Sequence, residues 1–272
     1  MNAGLALDPH DAHTLLRSGQ LQVRGRITTA SNATLLAQVE LDGMSAPVVY
    51  KPVAGERPLW DFPDGTLAGR EVASYLISQA TGWDLVPLTV LREGPFGPGV
   101  CQLWVDTDPQ ASLVDVVPSH AVPEGWLRVI DASDGEDGQV SLVHRDDSRL
   151  RRMAVLDVVL NNADRKGGHV LVDADGGVHG VDHGVCLHTE DKLRTVLWGW
   201  AGRPIGEEHT EMLARLATDL AEGSGCRLRE KLAGLVSAAE VGAVAGRAAR
   251  MLRRGRFPRP HGQWPAIPWP VF

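Results

Sequence analysis

Five side chains suited to metal binding or proton transfer fall within one glycine-rich run, NADRKGGHVLVDADGGVHGVDHG (162–184): Asp164, His169, His179, Asp182 and His183. Carboxylates and imidazoles at this density point to two chemistries. One is metal-assisted hydrolysis, with His179, Asp182, His183, Cys186 and His188 as nitrogen, oxygen and sulfur ligands for zinc. Alternate residues of a strand face opposite sides, however, so His179 and His183 share a face that Asp182 does not, and no HExxH helix is present. A nucleophile-based hydrolase has less support, because the chain lacks a GxSxG elbow and the Cys186/His188 pair is an ordinary one. The other chemistry is phosphoryl transfer, and it draws on residues far from the run.

Transferring a phosphoryl group gathers several negative oxygens in one place. A cation, one or two divalent metals and an acceptor-orienting carboxylate must therefore converge from separate elements. Each slot has a candidate. Lys51 in VVYKP lies on the third strand-like segment, and Glu71 lies on the only helical segment of the first third. Kinase catalytic loops place a metal-binding residue five positions after the catalytic Asp, and Asp164 and His169 keep that interval. Asp182 opens DHG, in the place of a DFG triplet. Taken singly, Lys51 and Glu71 read as solvated charges, and Asp164 and Asp182 as turn formers beside glycine. Their joint order and spacing favours a shared site, with Asp164 catalytic and Asp182 and His169 toward metal. Imidazole suits Mn²⁺ better than Mg²⁺, so His169 bears on metal choice and on whether the site is active. No glycine-rich loop covers the phosphates, since TTASNAT (28–34) has none; backbone amides with Ser31 and Asn32 are the candidates for that task. Arg165 reads equally as a functional residue or as an ion-pair partner that shapes the loop.

These residues need a scaffold. Segments 21–27, 34–41 and 46–53 read as three antiparallel strands, and 67–81 as a helix capped by Thr66 and ended by Gly82. Strands follow at 86–93 and 99–106. After a hinge near 106 and a polar, Asp- and Gly-rich connection, apolar residues at Leu150, Met153, Leu156, Val159 and Leu160 predict a helix leading into the run. Within the run, HVLVD and VHGVD form a hairpin. Helical patterns return beyond 206, and the Pro- and Trp-rich end is expected as an extended surface arm. The order predicts an α+β, bilobal, protein-kinase-like fold: an antiparallel β-rich N-lobe (1–105), a mainly helical C-lobe (106–256) carrying the catalytic hairpin, and an extended tail (257–272).

The run, together with VYKP (49–52) and GRE (69–71), resembles the DRHxxN…DFG region of the phosphatidylinositol 3-/4-kinase-like superfamily, most nearly a small bacterial branch of it, and more distantly the HipA-type kinases. The resemblance covers roughly 20–205. It implies that Lys51 contacts ATP phosphates, that Glu71 pairs with Lys51, that Asp164 is the catalytic-loop aspartate and that Asp182 binds the metal. The chain departs from the pattern at three places. Lys166 stands where the family has histidine, His169 where it has asparagine, and His183 at the middle of the DFG-like triplet.

Composition narrows the partners. With 43% hydrophobic and 22% charged residues the chain is an ordinary globular protein, and a net charge of −7 lacks the electrostatic footprint of a nucleic-acid binder. No apolar run reaches the ~18 residues of a membrane span, which argues against integral membrane contact. The N-terminus lacks signal-peptide features, and three widely spaced cysteines form no disulfide framework, so a cytoplasmic location is expected. The arginine cluster Arg250, Arg253, Arg254 and Arg256 reads as a solvated helix face or as a surface for an acidic partner. The expected function is an ATP- and Mg²⁺- or Mn²⁺-dependent phosphotransferase with a protein, small-molecule or lipid acceptor. The alternatives are a pseudokinase acting as a nucleotide-binding regulatory module, and a nucleotidyl (AMP) transferase on the same fold.

Overall fold

The computed structural model describes residues 8–27, 33–57, 59–62, 67–133, 135, 138–262 and 264–272. Its first half is one antiparallel sheet in the order β1-β2-β3-β5-β4, formed by β1 (Gln20–Arg26), β2 (Leu35–Leu41), β3 (Met44–Pro52), β4 (Thr89–Gly94) and β5 (Gly97–Leu103). β3 lies between β2 and β5, with Lys51 opposite Val100. Its alternation decides what each face does. Ala46, Val48 and Tyr50 bury against Leu15 and Leu16 of helix α1 (Pro9–Ser18). Lys51, one residue on, projects from the other face toward helix α2 (Leu67–Thr81), which packs Ala68 and Val72 on Val100. A lysine in a central strand is thus held on a rigid base and aimed at a helix.

Helix α2 begins where expected. Thr66, the expected cap, lies outside the described residues; Glu56 supplies the acceptor, taking the Leu67 and Ala68 amides at 3.0 and 2.9 Å. The α2 residue Arg70 forms a buried ion pair with Glu240 at 2.6 Å, which fastens this helix to the second half of the chain.

That second half is built on a larger apolar core. Helix α3 (Ser148–Leu160) is capped by Asp147 and buries Leu150, Met153, Leu156 and Leu160. It ends at Asn161, whose φ of 56° turns the chain sharply toward the run. The run holds the hairpin of β9 (Val170–Val172) and β10 (Val178–Gly180). Helices α4 (Glu207–Asp219), α5 (Arg227–Ala233) and α6 (Ala238–Arg254) complete the core. Among the described residues no helix is long and apolar enough to cross a membrane.

Three features were not foreseen. α1 is one. A second sheet, β6-β8-β7, occupies the stretch read as a connection, with β6 (Val114–Pro118), β7 (Trp126–Ser133) and β8 (Gln139–Arg145). β6 and β7 bury only Val114, and their apolar residues do not alternate regularly with polar ones, so no strand pattern separates them from a loop. The third is the tail. It is irregular, as its prolines require, but it is not a surface arm: Phe257 and Ile267 bury in the main core, and the Gly167 amide donates to the Val271 carbonyl at 2.7 Å.

Candidate active site

The cleft between the first sheet and the α3-to-hairpin segment brings Lys51, Glu71, Asp164 and Asp182 together. Lys51 Nζ donates to Glu71 Oε1 at 2.5 Å and to Asp182 Oδ1 at 2.9 Å, joining β3, α2 and the DHG turn. Burial works against the lysine's charge, but the two carboxylates outweigh it and raise its pKa. Lys51 in turn holds the Asp182 carboxyl well below the usual carboxylate range. Glu71 spends its second oxygen on the His183 amide at 3.0 Å, so α2 fixes both the lysine and the DHG backbone. Asp182 adopts a φ of 62°, a conformation uncommon for a residue with a side chain. Strain of this kind persists where surrounding contacts over-determine it, and here Lys51 and His183 do so. Gly184 completes the turn; a Cβ there would lie 3.3 Å from Leu67 Cβ, at the limit of close contact with α2.

His169 sits across from Asp182. Its Nδ1 is 3.0 Å from the Asp164 carbonyl, so that nitrogen must carry the proton, because two acceptors at this distance repel. Burial pushes the imidazole pKa down to about 4, so the ring is neutral at pH 7 and its Nε2 presents a bare lone pair. That lone pair faces Asp182 Oδ2 at 3.4 Å. Two acceptors aimed at each other form a donor set for a cation, and a histidine ligand whose other N–H is held by a backbone carbonyl is a recurrent metal-binding arrangement. The residues present therefore fit a divalent ion.

Asp164 follows Asn162, whose side-chain oxygen accepts the Asp164 amide at 3.0 Å. Its carboxylate lies 3.5 Å from Lys166 Nζ and 3.7 Å from Arg194 Nη2. Burial raises its pKa, and the two cations oppose that shift. A carboxylate raised in this way is a better proton acceptor than a solvated one.

Beneath the site lies a hub that the sequence reading only half anticipated. Arg165, fully buried, donates to Asp157 of α3 at 3.0 Å, to the His169 and Val181 carbonyls at 3.1 and 3.0 Å, and to His183 Nε2 at 2.7 Å. One guanidinium thus ties α3, the catalytic loop and the DHG turn. Asp157 went unnoticed, though a lone carboxylate inside the apolar run VLDVVL was a signal that a buried partner must exist. Lys166 stands in the sequence only as a departure from the family pattern, and Arg194 only as a cation near the Trp-rich stretch 197–205, with acceptor binding weighed against packing; the structure sets both beside Asp164. Ser31 and Asn32, the expected phosphate-capping pair, lie outside the described residues; their neighbours Ala33 and Thr34 line the cleft. Among the described residues no three His, Cys, Asp or Glu side chains gather to hold a metal ion, which excludes the zinc cluster and leaves the His169/Asp182 pair as the donors for a divalent ion. His179 instead contacts Asp173 at 2.8 Å, His183 accepts from Arg165, and Cys186 is buried with its thiol pushed up by desolvation.

A lysine held by a helix carboxylate on one side and by an aspartate at the base of the cleft on the other, beneath an antiparallel sheet and above a helical half, defines a kinase-like fold. Solved structures agree. The Golgi casein kinase superposes with a TM-score of 0.55 over 91% of this chain and 75% of its own, at 12% identity. The same kinase with Mn/ADP bound gives a TM-score of 0.55 over 91% and 76%. No family model matches the sequence. The chain belongs to the family of Protein Rv2133c of Mycobacterium tuberculosis (strain ATCC 25618 / H37Rv), to which it is 53% identical over 280 residues, 99% of each chain. A 77-residue segment, 26% of this chain, is 35% identical to phosphatidylinositol 4-kinase gamma 4 of Oryza sativa subsp. japonica and covers 14% of that protein.

Proposed function

We propose that the protein is an ATP- and divalent-metal-dependent phosphotransferase. The observation that carries this reading is the convergence of Lys51 on Glu71 and Asp182 across the cleft, at 2.5 and 2.9 Å. In the free site Lys51 has only carboxylates to neutralise. With a nucleotide present its ammonium also serves the phosphate oxygens, while Glu71 keeps it pointing into the cleft. Asp182 and His169 would hold the divalent ion, which supplies charge neutralisation for the transferring phosphoryl group. Asp164 orients the acceptor and takes its proton at the carboxylate. Lys166 and Arg194, within 3.7 Å of that carboxylate, add positive charge beside it that would favour a phosphoryl group.

Support comes from the Golgi casein kinase, whose structure carries Mn/ADP on a related fold. The manganese in that structure suits the imidazole found here, since Mn²⁺ accepts nitrogen more readily than Mg²⁺ does. The segment shared with a phosphatidylinositol 4-kinase keeps a lipid acceptor beside protein and small-molecule ones, within a phosphatidylinositol-kinase-like reading. Free, buried Cys101 and Cys186 suit a cytoplasmic setting, where ATP is also at hand. On this reading residues 1–105 act as the nucleotide-covering lobe, 106–256 as the catalytic lobe, and 257–272 as a strap against the latter.

The test is incubation with γ- and α-labelled ATP, with Mg²⁺ or Mn²⁺, beside Asp164→Ala. Label from the γ position that disappears in the variant is the expected result, and its partition among protein, organic-soluble and aqueous fractions names the acceptor class. Label from the α position would assign AMP transfer instead. Binding without turnover would assign a pseudokinase, and no nucleotide binding with either metal would overturn the site.

A further inference from the structure

The cleft is not the only charged enclosure among the described residues. A cavity of about 360 Å³ opens between α6, the 191–198 segment and the tail, whereas the cleft measures about 90 Å³. The chemistry of transfer belongs to the smaller space, which holds the lysine and the carboxylates. The larger one is lined by Arg247, Arg250, Arg254, Arg256 and Arg259, with Asp191 as its single carboxylate. Asp191 is already engaged by Arg250 at 2.8 Å.

Three observations show that this is more than a solvated helix face. Arg247 is only 5% exposed, and it is fastened in place by the Val159 and His188 carbonyls at 2.9 and 3.0 Å. Its remaining nitrogen, Nη2, is buried with no hydrogen-bond partner. A buried donor without an acceptor is costly, about 1–3 kcal/mol and more for a charged group. Desolvation is severe enough here to draw the guanidinium pKa down to about 10. Second, Arg254 and Arg259 line the cavity with no hydrogen bond or ion pair among the described residues, which leaves their guanidinium groups free for a ligand. Third, the tail residues Pro258, Pro260, His261 and Trp264 supply the outer wall, which turns an arginine-bearing helix surface into a pocket.

We infer that this cavity is a binding site for a small molecule bearing two or more phosphate groups, separate from the nucleotide cleft. Planar guanidinium groups match phosphate oxygens in pairs, and five of them against one engaged carboxylate leave a strong net positive field. The volume lies within the range of small-molecule pockets. Its position gives it a lever. Arg247 and Asn161 both hold the 188–192 segment, through the His188 carbonyl and, for Asn161, the Glu190 carbonyl as well. That segment lies directly after the DHG turn. A phosphate-rich ligand on Arg247 would therefore stiffen the chain that follows the metal-side aspartate where it is tied back to the α3 terminus.

The test uses the full chain in EDTA, so that metal-dependent binding in the cleft is suppressed, with inorganic pyrophosphate titrated calorimetrically. Lys51→Met serves as the cleft control and Arg254→Gln/Arg259→Gln as the cavity variant, whose replaced side chains are exposed and unpaired. Pyrophosphate should bind the wild type more tightly than inorganic phosphate does. Affinity should persist in Lys51→Met and fall tenfold or more in the double variant. No pyrophosphate binding by the wild type, loss in Lys51→Met, or a smaller change in the double variant would each overturn the inference. Stronger binding of poly-glutamate than of pyrophosphate would assign an acidic peptide and overturn it equally.

Discussion

Replacing Arg165 by methionine tests the claim that one buried cation organises the whole site. The side chain is 0% exposed, as is that of its partner Asp157, so the pair exists without help from water. Forming such a pair is close to neutral against apolar residues of the same size. Removing one member, however, strands the other and costs about 3–5 kcal/mol. Here the stranded group is the Asp157 carboxylate, which keeps only the Asn162 amide at 3.0 Å. The Val181 carbonyl loses its donor and His183 Nε2 its partner, whereas the His169 carbonyl keeps the Val181 amide at 3.1 Å. We therefore expect Arg165→Met to lose about 4 kcal/mol, a large share of the ~5–15 kcal/mol by which domains are stable. The urea midpoint reports it. Adding Asp157→Asn neutralises the stranded carboxylate while leaving an oxygen for Asn162, and should restore about 2 kcal/mol, the rest being the orphaned Val181 carbonyl and His183 ring nitrogen. A single-variant loss below about 1 kcal/mol would refute the hub. So would a double variant no more stable than the single one, since the cost would then not lie in the uncompensated charge.

Other expectations are more local. Glu71→Gln should weaken nucleotide binding about tenfold, because it frees Lys51 to swing onto Asp182 alone; a displacement assay with a fluorescent nucleotide checks this. His144 is fully buried between the Arg145 carbonyl and the Gly199 amide, and burial pushes its pKa down to about 4. The unfolded chain binds this proton near pH 6.5 and the folded one does not. Stability is thus full above 6.5 and falls as pH drops toward about 4, by roughly 3 kcal/mol from this group. A His144→Gln variant should flatten that part of the urea-midpoint profile. Desolvation raises the thiol pKa of both Cys101, to about 12, and Cys186, so only Cys226, which is partly exposed, should react quickly with a disulfide reagent at pH 8 in the native protein.

How far the sequence reaches into the site can be argued residue by residue. Lys51 and Asp182 are 131 positions apart, yet both could be named, because phosphoryl transfer demands a strand cation and a turn carboxylate in a fixed chain order. The hairpin, α2, α3 and the later helices were visible for the same kind of reason: strong periodicity or turn residues mark them. β6 and β7 escaped because a half-exposed strand dilutes its own pattern. The tail escaped because proline forbids a helix but says nothing about burial, and Phe257 and Ile267 find the core only once the fold exists. Asp157 and Arg165 belong to that second kind of information. Their roles follow from three-dimensional satisfaction of buried charge, which local sequence does not encode.

His169 shows how geometry alters a judgement that residue type alone makes badly. From the sequence it is an imidazole where an asparagine is expected, and a poor magnesium ligand. Its Nδ1 proton is committed to the Asp164 carbonyl, and burial keeps the ring neutral, so what it offers Asp182 is a lone pair and nothing else. An asparagine in the same place would offer a carbonyl oxygen, equally an acceptor. The substitution therefore changes the element at the donor atom and leaves the sign of the interaction unchanged. On that argument His169→Asn should retain function while moving the preference from Mn²⁺ toward Mg²⁺, and His169→Leu, which removes the donor, should weaken both metals together. Nucleotide retention titrated with each ion separates the cases. Equal retention by the leucine variant would show that Asp182 holds the ion without this residue.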